Sequence, residues 1–265
     1  MFTKTNVHFD LTTYRAQNPD LAGFSDGELA AHFKNCGFRE KRCYAAVDDD
    51  HERFSMRWLR GKGIEIGAGS SPTRLFGDAT TELADVDASL KFGGSRYDQL
   101  FSLDDPQLTE RMGVNVFDFA IASHVLEHVD SFLRGLKNLI DLVRPDGIVY
   151  VSLPIKEYLY DKHWMPFYPF AHHVEEFAHP LKFADGHDRL IIGEHEQKYE
   201  AGGDFTIAQQ DRFLHHKHNY DLHDWTALLF QSLEFLGGPA RVVDSGFGRQ
   251  RQDCNFVLQK LAATS

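Results

Sequence analysis

Residues 63–72 read Gly-Ile-Glu-Ile-Gly-Ala-Gly-Ser-Ser-Pro, and the fold turns on how that stretch is read. Gly63 to Ile66 is a short apolar run with strand character that breaks at Gly67 into a turn carrying a second glycine, Gly69. Glycine takes up positive φ without steric cost and lets the backbone approach a ligand at a distance that a Cβ would forbid. A helix following such a turn offers unpaired N–H groups to an anion. About twenty residues on, Asp87 closes the next apolar run, Thr81-Glu-Leu-Ala-Asp-Val-Asp87, where a carboxylate can accept from both ribose hydroxyls. A dinucleotide fingerprint would need its third glycine at position 72. Pro72 has no N–H to donate and a ring where pyrophosphate must come close, which argues against a nicotinamide site. Glu65, in the strand just before the turn, points instead to a ligand with a positive ammonium or sulfonium group.

Outward from this stretch the sequence alternates between apolar strands and amphipathic helices. Phe117 to Ser123 is a nearly continuous apolar strand. His124 to Val143 has the period of a helix with Leu126, Val129, Leu133, Leu136, Leu139 and Ile140 on one side. Arg144-Pro-Asp-Gly147 reads as a tight turn into a buried strand, Ile148 to Leu153, closed by Pro154. A helix from about Asp224 to Phe235 precedes two further strands, Arg241 to Asp244 and Asn255 to Gln259. The alternation predicts an α/β fold, a doubly wound, Rossmann-like sheet.

Two segments flank that pattern. Residues 1–50 form a small helical N-terminal unit, with a turn at Asn18-Pro19-Asp20 and a capping box at Ser25-Asp-Gly-Glu28 that opens a helix burying Leu29, Ala30 and Phe33 and ending near Gly37. The remaining domain, 51–265, carries an insertion at about 155–223 where the periodicity fades, which marks a lid more than a connector. Ten of the fifteen histidines lie between His163 and His223, together with the aromatic run Trp164 to Phe170.

The composition narrows the function. With 28 Lys+Arg against 39 Asp+Glu the formal net charge is −11, the wrong sign for a chain that must hold a polyanion, so a nucleic-acid partner is not expected. The three cysteines, Cys36, Cys43 and Cys254, include no C-x-x-C pair, which fits a reducing, cytoplasmic setting and argues against a disulfide framework or a cysteine zinc site. No apolar run approaches the length of a membrane span, and the first residues have no signal-peptide character.

Taken together, Glu65-x-Gly67-x-Gly69, Val86-Asp87-Ala-Ser, the block Phe117-Asp-Phe-Ala-Ile-Ala-Ser-His-Val-Leu-Glu-His128 and Leu142-Val-Arg-Pro-Asp-Gly147 resemble, in order, the class I S-adenosylmethionine-dependent methyltransferases, in the bacterial type with a Leu-Glu-His motif. The resemblance covers roughly residues 60–155. It implies a seven-stranded sheet ending in an antiparallel hairpin, with S-adenosyl-L-methionine on the carboxyl edge. Gly67 and Gly69 would line its methionine part, Glu65 would orient that loop and the ammonium, and Asp87 would hold the ribose. Asp104 and Asp105 would lie near the adenine amine, and Ser123 and His124 near the methionine end. For an acceptor hydroxyl, a base at the edge of the fourth strand helps, and His128 is the candidate. The N-terminal pattern Tyr14-x3-Asn18-Pro-Asp-Leu21, then Ala31-His-Phe33-x3-Gly37-x-Arg39-Glu40, resembles short helical units on bacterial glycan-synthesis proteins.

The expected activity is therefore O-methylation of a sugar, glycan or small-molecule hydroxyl, with a homodimer as one assembly open to the chain. A non-catalytic cofactor-binding scaffold in glycan synthesis is one alternative. A divalent-metal-dependent sugar O-methyltransferase is another, prompted by His172-His173 and His215-His216-Lys-His218, although no residue is assigned here as a metal ligand.

Overall fold

The computed structural model describes residues 11–37, 40, 50–69, 71–86, 98–159, 167–179, 216–248 and 252–262. Seven strands form one sheet: β1 Lys62–Ile66, β2 Thr80–Asp85, β3 Gln99–Leu100, β4 Phe117–Ser123, β5 Val143–Pro154, β6 Ala240–Phe247 and β7 Asp253–Lys260, in the order β3-β2-β1-β4-β5-β7-β6. The pairs β1–β2, β1–β4, β2–β3 and β4–β5 are parallel, and β7 runs antiparallel between β5 and β6. This is the doubly wound, seven-stranded Rossmann-like fold that the glycine turn predicts, with the C-terminal hairpin where it was expected.

Strand composition follows from burial on both faces. Phe119 and Ile121 of β4 point to one side, where they meet Phe54, Leu59 and Tyr150, whereas Ala120 and Ala122 point to the other, toward Leu136, Val149 and Trp225. A period of two with apolar residues on both faces is what a central parallel strand requires. Helix α3 (Asp50–Trp58) covers the first face; α5 (Phe132–Leu142) and α7 (Leu222–Phe235) cover the second, with α4 (Leu108–Met112) and α6 (Phe170–Ala178) beside α5.

The N-terminal unit has the predicted capping box: Ser25 Oγ accepts from Glu28 N, and Ser25 N donates to Glu28 Oε2, at 3.4 and 2.8 Å. It opens α2 (Asp26–His32), which follows α1 (Leu11–Gln17). Tyr14, Leu21 and Leu29 pack with Met56 of α3 and with Phe76, so the unit shares a core with the sheet domain. Gly37 faces Tyr14 so closely that a Cβ would lie 2.0 Å from its hydroxyl.

Three local expectations are corrected. The helix expected from His124 begins only at Phe132, because Ser131 caps it, its Oγ accepting from Arg134 N; residues 124–130 are turns instead. The Arg144–Gly147 turn lies inside β5 as an irregularity, where the β4 register slips between Phe117↔Val143 and Phe119↔Ile148 and Asp146 takes φ of 63°. The second strand ends at Asp85, and Asp87 lies outside the described residues.

Candidate active site

The carboxyl ends of β1 and β4 open into a cavity of about 330 Å³ whose walls include Ser71, Pro72, Ser123, His124, Ser152 and Asp253, with His51 of α3. In a sheet of this kind the crevice at the carboxyl ends of the strands, where the strand order reverses, is where ligands bind. The reversal here is at β1–β4, directly beneath the glycine turn.

Both glycines of that turn have left-handed backbones, with φ of +70° at Gly67 and +52° at Gly69. They differ in what a side chain would meet. A Cβ at Gly67 would lie 2.3 Å from Val125 Cγ2, so this glycine lets the β1 turn close on the β4 edge. A Cβ at Gly69 would meet nothing within 4 Å, so its surroundings are open to a ligand. Glu65 sets the shape of the loop that follows. Fully buried, it accepts from Thr73 N at 2.9 Å on each oxygen and from Thr73 Oγ1 at 2.7 Å. Burial pushes its carboxyl pKa up while the Thr73 bonds pull it down, and burial prevails.

The polar chain continues from Thr73 Oγ1 to His51 Nε2 at 3.2 Å and from His51 Nδ1 to the Tyr150 hydroxyl at 2.6 Å. Since the Thr73 proton is given to Glu65, Thr73 accepts from His51 Nε2–H. The chain ties α3, the β1 loop and β5 to one another.

His124 follows β4 with φ of 57°, a conformation that non-glycine residues rarely adopt and that concentrates at functional positions. Its N–H donates to Ser152 O at 3.0 Å, its Nε2 is 3.2 Å from Asp253 Oδ1 and its Nδ1 is 3.5 Å from Glu127 Oε1. Burial works against its charged form, but the nearby carboxylates of Asp253 and Glu127 outweigh it and push the imidazole up to about 10. His124 is thus a cation at the cavity wall.

Glu127 is fully buried, and among the described residues neither of its oxygens meets a donor at hydrogen-bond distance. Burial opposes its ionisation; His124, His128 and His216 around it more than offset that and hold its pKa below the ordinary value. His128, in the turn after β4, has Nε2 3.7 Å from Glu127 Oε1, and its ring lies 4.7 Å from that of His216, centroid to centroid. The segment carrying His216 is pinned there by Lys217 N and His218 N, both donating to Glu127 O at 2.7 and 3.1 Å, and by Lys217 Nζ on Asp130 at 2.5 Å.

A second histidine group lies beside the first and is built differently. Glu176 of α6, also fully buried, has Oε1 2.6 Å from His172 Nε2 and 2.9 Å from His218 Nε2, and Oε2 3.0 Å from His173 Nδ1; His173 Nε2 in turn meets the Tyr220 hydroxyl at 2.7 Å.

The structure therefore brings Glu65, Gly67, Gly69, Ser123, His124 and His128 of the predicted residues to one edge. Asp104 and Asp105 have other work. Asp104 accepts from Ser102 Oγ and from Ser131 N, and Asp105 accepts from Gln107 N at 2.8 Å and pairs with Arg111 at 2.5 Å. Both carboxylates hold the loop that supports α5, which leaves the adenine role without support. His215 and Trp164 lie outside the described residues, as Asp87 does. His51, Thr73, Asp253 and the burial of Glu127 were missed by sequence reasoning; of these, only Glu127 stood in a recognised motif.

The family model described as "Methyltransferase domain" matches residues 23–188, more than half of the chain. The chain belongs to this methyltransferase family. The cofactor that the sequence resemblance implies for such a domain is S-adenosylmethionine. No curated protein matches the methyltransferase in sequence. Similar solved structures include the CurJ carbon methyltransferase (14% identity, TM-score 0.40, covering 78% of this chain and 50% of that one) and the trans-methyltransferase CalH complexed with SAH (14%, 0.37, 77% and 51%). Another is a methyltransferase of Thermotoga maritima described as a possible histamine N-methyltransferase (12%, 0.44, 93% and 99%). The chain spans about half the length of the CurJ and CalH chains. The described residues fit the cofactor: the glycine turn leaves open space above Gly69, and the cavity begins at the loop that Glu65 shapes. Among the described residues no helix is long and apolar enough to cross a membrane.

Proposed function

We propose that this methyltransferase acts on oxygen, transferring a methyl group to a hydroxyl of a sugar, a glycan or a small molecule. The observation that carries the reading is the group Glu127, His128 and His216 beside the cavity wall formed by His124, next to the glycine turn. A hydroxyl is a poor nucleophile until it loses its proton, so a cluster of imidazoles around a carboxylate at the methyl end suits an oxygen acceptor. The resemblance of the N-terminal unit to those of glycan-synthesis proteins supports a sugar acceptor.

S-adenosylmethionine supplies a methyl carried on a sulfonium sulfur, open to in-line attack. The chain's part is to hold nucleophile and methyl together and to manage one proton. Gly67 and Gly69 cradle the methionine part, Asp87 binds the ribose hydroxyls, and Glu65 keeps the loop in shape through Thr73. His124, held as a cation by Asp253 and Glu127, is not the base. His128, in the imidazole group, assists loss of the acceptor proton.

The test is turnover of S-adenosylmethionine with a panel of sugars and hydroxylated metabolites, with mass spectrometry locating the new methyl. An ether product, lost in His128→Ala while S-adenosylhomocysteine still binds, is the expected outcome. A methyl found on nitrogen or carbon would overturn it. Asp87→Ala should weaken S-adenosylhomocysteine binding by about 1.5–3 kcal/mol, the scale of hydrogen bonds to a charged group; unchanged calorimetric affinity would remove Asp87 from the site.

A further inference from the structure

The two histidine groups invite the same question and answer it differently. In the group on α6, Glu176 Oε1 and Oε2 lie 2.6–3.0 Å from three imidazole nitrogens, the distances of hydrogen bonds. In the group after β4, Glu127 lies 3.5 Å from His124 Nδ1 and 3.7 Å from His128 Nε2, too far for hydrogen bonds, and both its oxygens are buried and unsatisfied. A buried carboxylate whose oxygens meet no donor at hydrogen-bond distance calls for an occupant of its own. The ligand atoms of Glu127, His128 and His216 all lie within 4.8 Å of one another, and Glu127 and His216 are buried. Ligands about 2.1 Å from a common ion at tetrahedral angles stand roughly 3.4 Å apart. The 3.7 Å between Glu127 Oε1 and His128 Nε2 therefore fits an edge of a coordination polyhedron better than a hydrogen bond.

We infer that Glu127, His128 and His216 bind one divalent transition-metal ion of the zinc class beside His124, which lines the cavity. Two imidazoles and one carboxylate are a donor set for zinc, manganese, iron or cobalt; calcium and magnesium take oxygen ligands. Three protein ligands leave positions open for an acceptor oxygen. A hydroxyl bound there loses its proton to water near neutral pH, because the ion stabilises the alkoxide. That oxygen then forms its bond to the methyl carbon as the bond from carbon to sulfur breaks, giving a methyl ether and S-adenosylhomocysteine. In the loaded enzyme His128 acts as a ligand and takes no proton itself. The use of the ion in catalysis rests on the proposed O-methyl transfer; its binding does not. The sequence places histidines here in abundance, but the groups prompting a metal reading, His172-His173 and His215 to His218, contribute only His216 to this site.

The test is titration of chelator-stripped protein with Co²⁺, whose visible absorption bands report nitrogen and oxygen coordination. The wild-type chain should take up one Co²⁺ with such bands. Glu127→Gln and His216→Ala should each weaken binding on the order of 100-fold, at least the loss seen when outer-shell partners of metal ligands are removed. His172→Ala, in the neighbouring group, should keep the bands. Bands absent from wild type, surviving in His216→Ala, or abolished only in His172→Ala would overturn the site. A Co²⁺-soaked crystal of the wild-type chain locates the ion by anomalous scattering even if a variant fails to fold, and a peak away from these three residues is equally decisive. Turnover to an ether that persists undiminished in stripped protein refutes the ion's part in catalysis and leaves the O-methyl reading intact. Metal bound at these residues beside a methyl transferred to nitrogen or carbon does the reverse.

Discussion

Gly67 and Gly69 stand two residues apart in one turn, yet alanine should act on them through different physics. At Gly69 the substitution places an L-residue at φ of +52° and touches nothing. The cost is that of the left-handed backbone alone, about 1–2 kcal/mol. At Gly67 the same strain arises at φ of +70°, and the new methyl group also comes within 2.3 Å of Val125 Cγ2. Valine is stiff at χ1 and sits in the turn beneath, so the clash must move backbone, adding about 1–3 kcal/mol as overpacking does. Gly67→Ala should therefore cost about 2–5 kcal/mol and Gly69→Ala about 1–2 kcal/mol, read as midpoint shifts at constant slope in urea titrations. In a Val125→Ala background the Gly67 cost should fall to the strain term alone, a coupling of about 1–3 kcal/mol. Calorimetry with S-adenosylhomocysteine should show the opposite order. Gly69→Ala projects its methyl into the open space above the turn and should weaken binding out of proportion to its stability cost. Equal destabilisation at both positions, with no relief from Val125→Ala, would refute the account of why each glycine is there.

The Glu176 group should behave as a structural clasp: Glu176→Ala leaves three imidazoles without their acceptor and should cost about 3–5 kcal/mol in a urea titration, a loss below about 1 kcal/mol being the contrary result. Cys254, 1% exposed and with its thiol pushed up to about 12 chiefly by burial, should resist iodoacetamide at pH 8 until the chain unfolds. Peptide mapping that finds it alkylated in native protein would show that the β5–β7 pairing opens readily.

Much of the fold was legible because it rests on patterns that a sequence displays directly. The strand Phe117–Ser123 matches its predicted bounds, since a central parallel strand is apolar on both faces and needs no partner to identify it. The helix predicted from His124 went wrong for the complementary reason. Leu126, Val129 and Leu136 do face a common core, but the turns of 124–130 bury apolar residues at similar spacing without a helical ladder, and the cap that decides the start is Ser131. The site divides in the same way. Gly67, Gly69 and Glu65 are local and were found; His51 and Asp253 come from elements far apart in the chain and meet the site only through tertiary packing.

The histidine excess shows how little composition settles until burial is known. Both buried carboxylates, Glu127 and Glu176, are ringed by imidazoles, and from the sequence the two groups cannot be told apart. Glu176 has its oxygens at hydrogen-bond distance from three rings, which locks α6 to the 216–220 segment and through Tyr220 to Tyr168. Glu127 has His124 and His128 at 3.5 and 3.7 Å, although two main-chain bonds and the Lys217–Asp130 pair hold the segments together around it. A packing accident would relax, because His124 is 43% exposed and could rotate to close the gap. Instead His124 is held back by Asp253, on the far side of its ring, and the spacing around Glu127 is maintained. Natural sequences keep an unsatisfied buried charge where function requires it, so the looser of two chemically similar groups is the one to assign to the reaction.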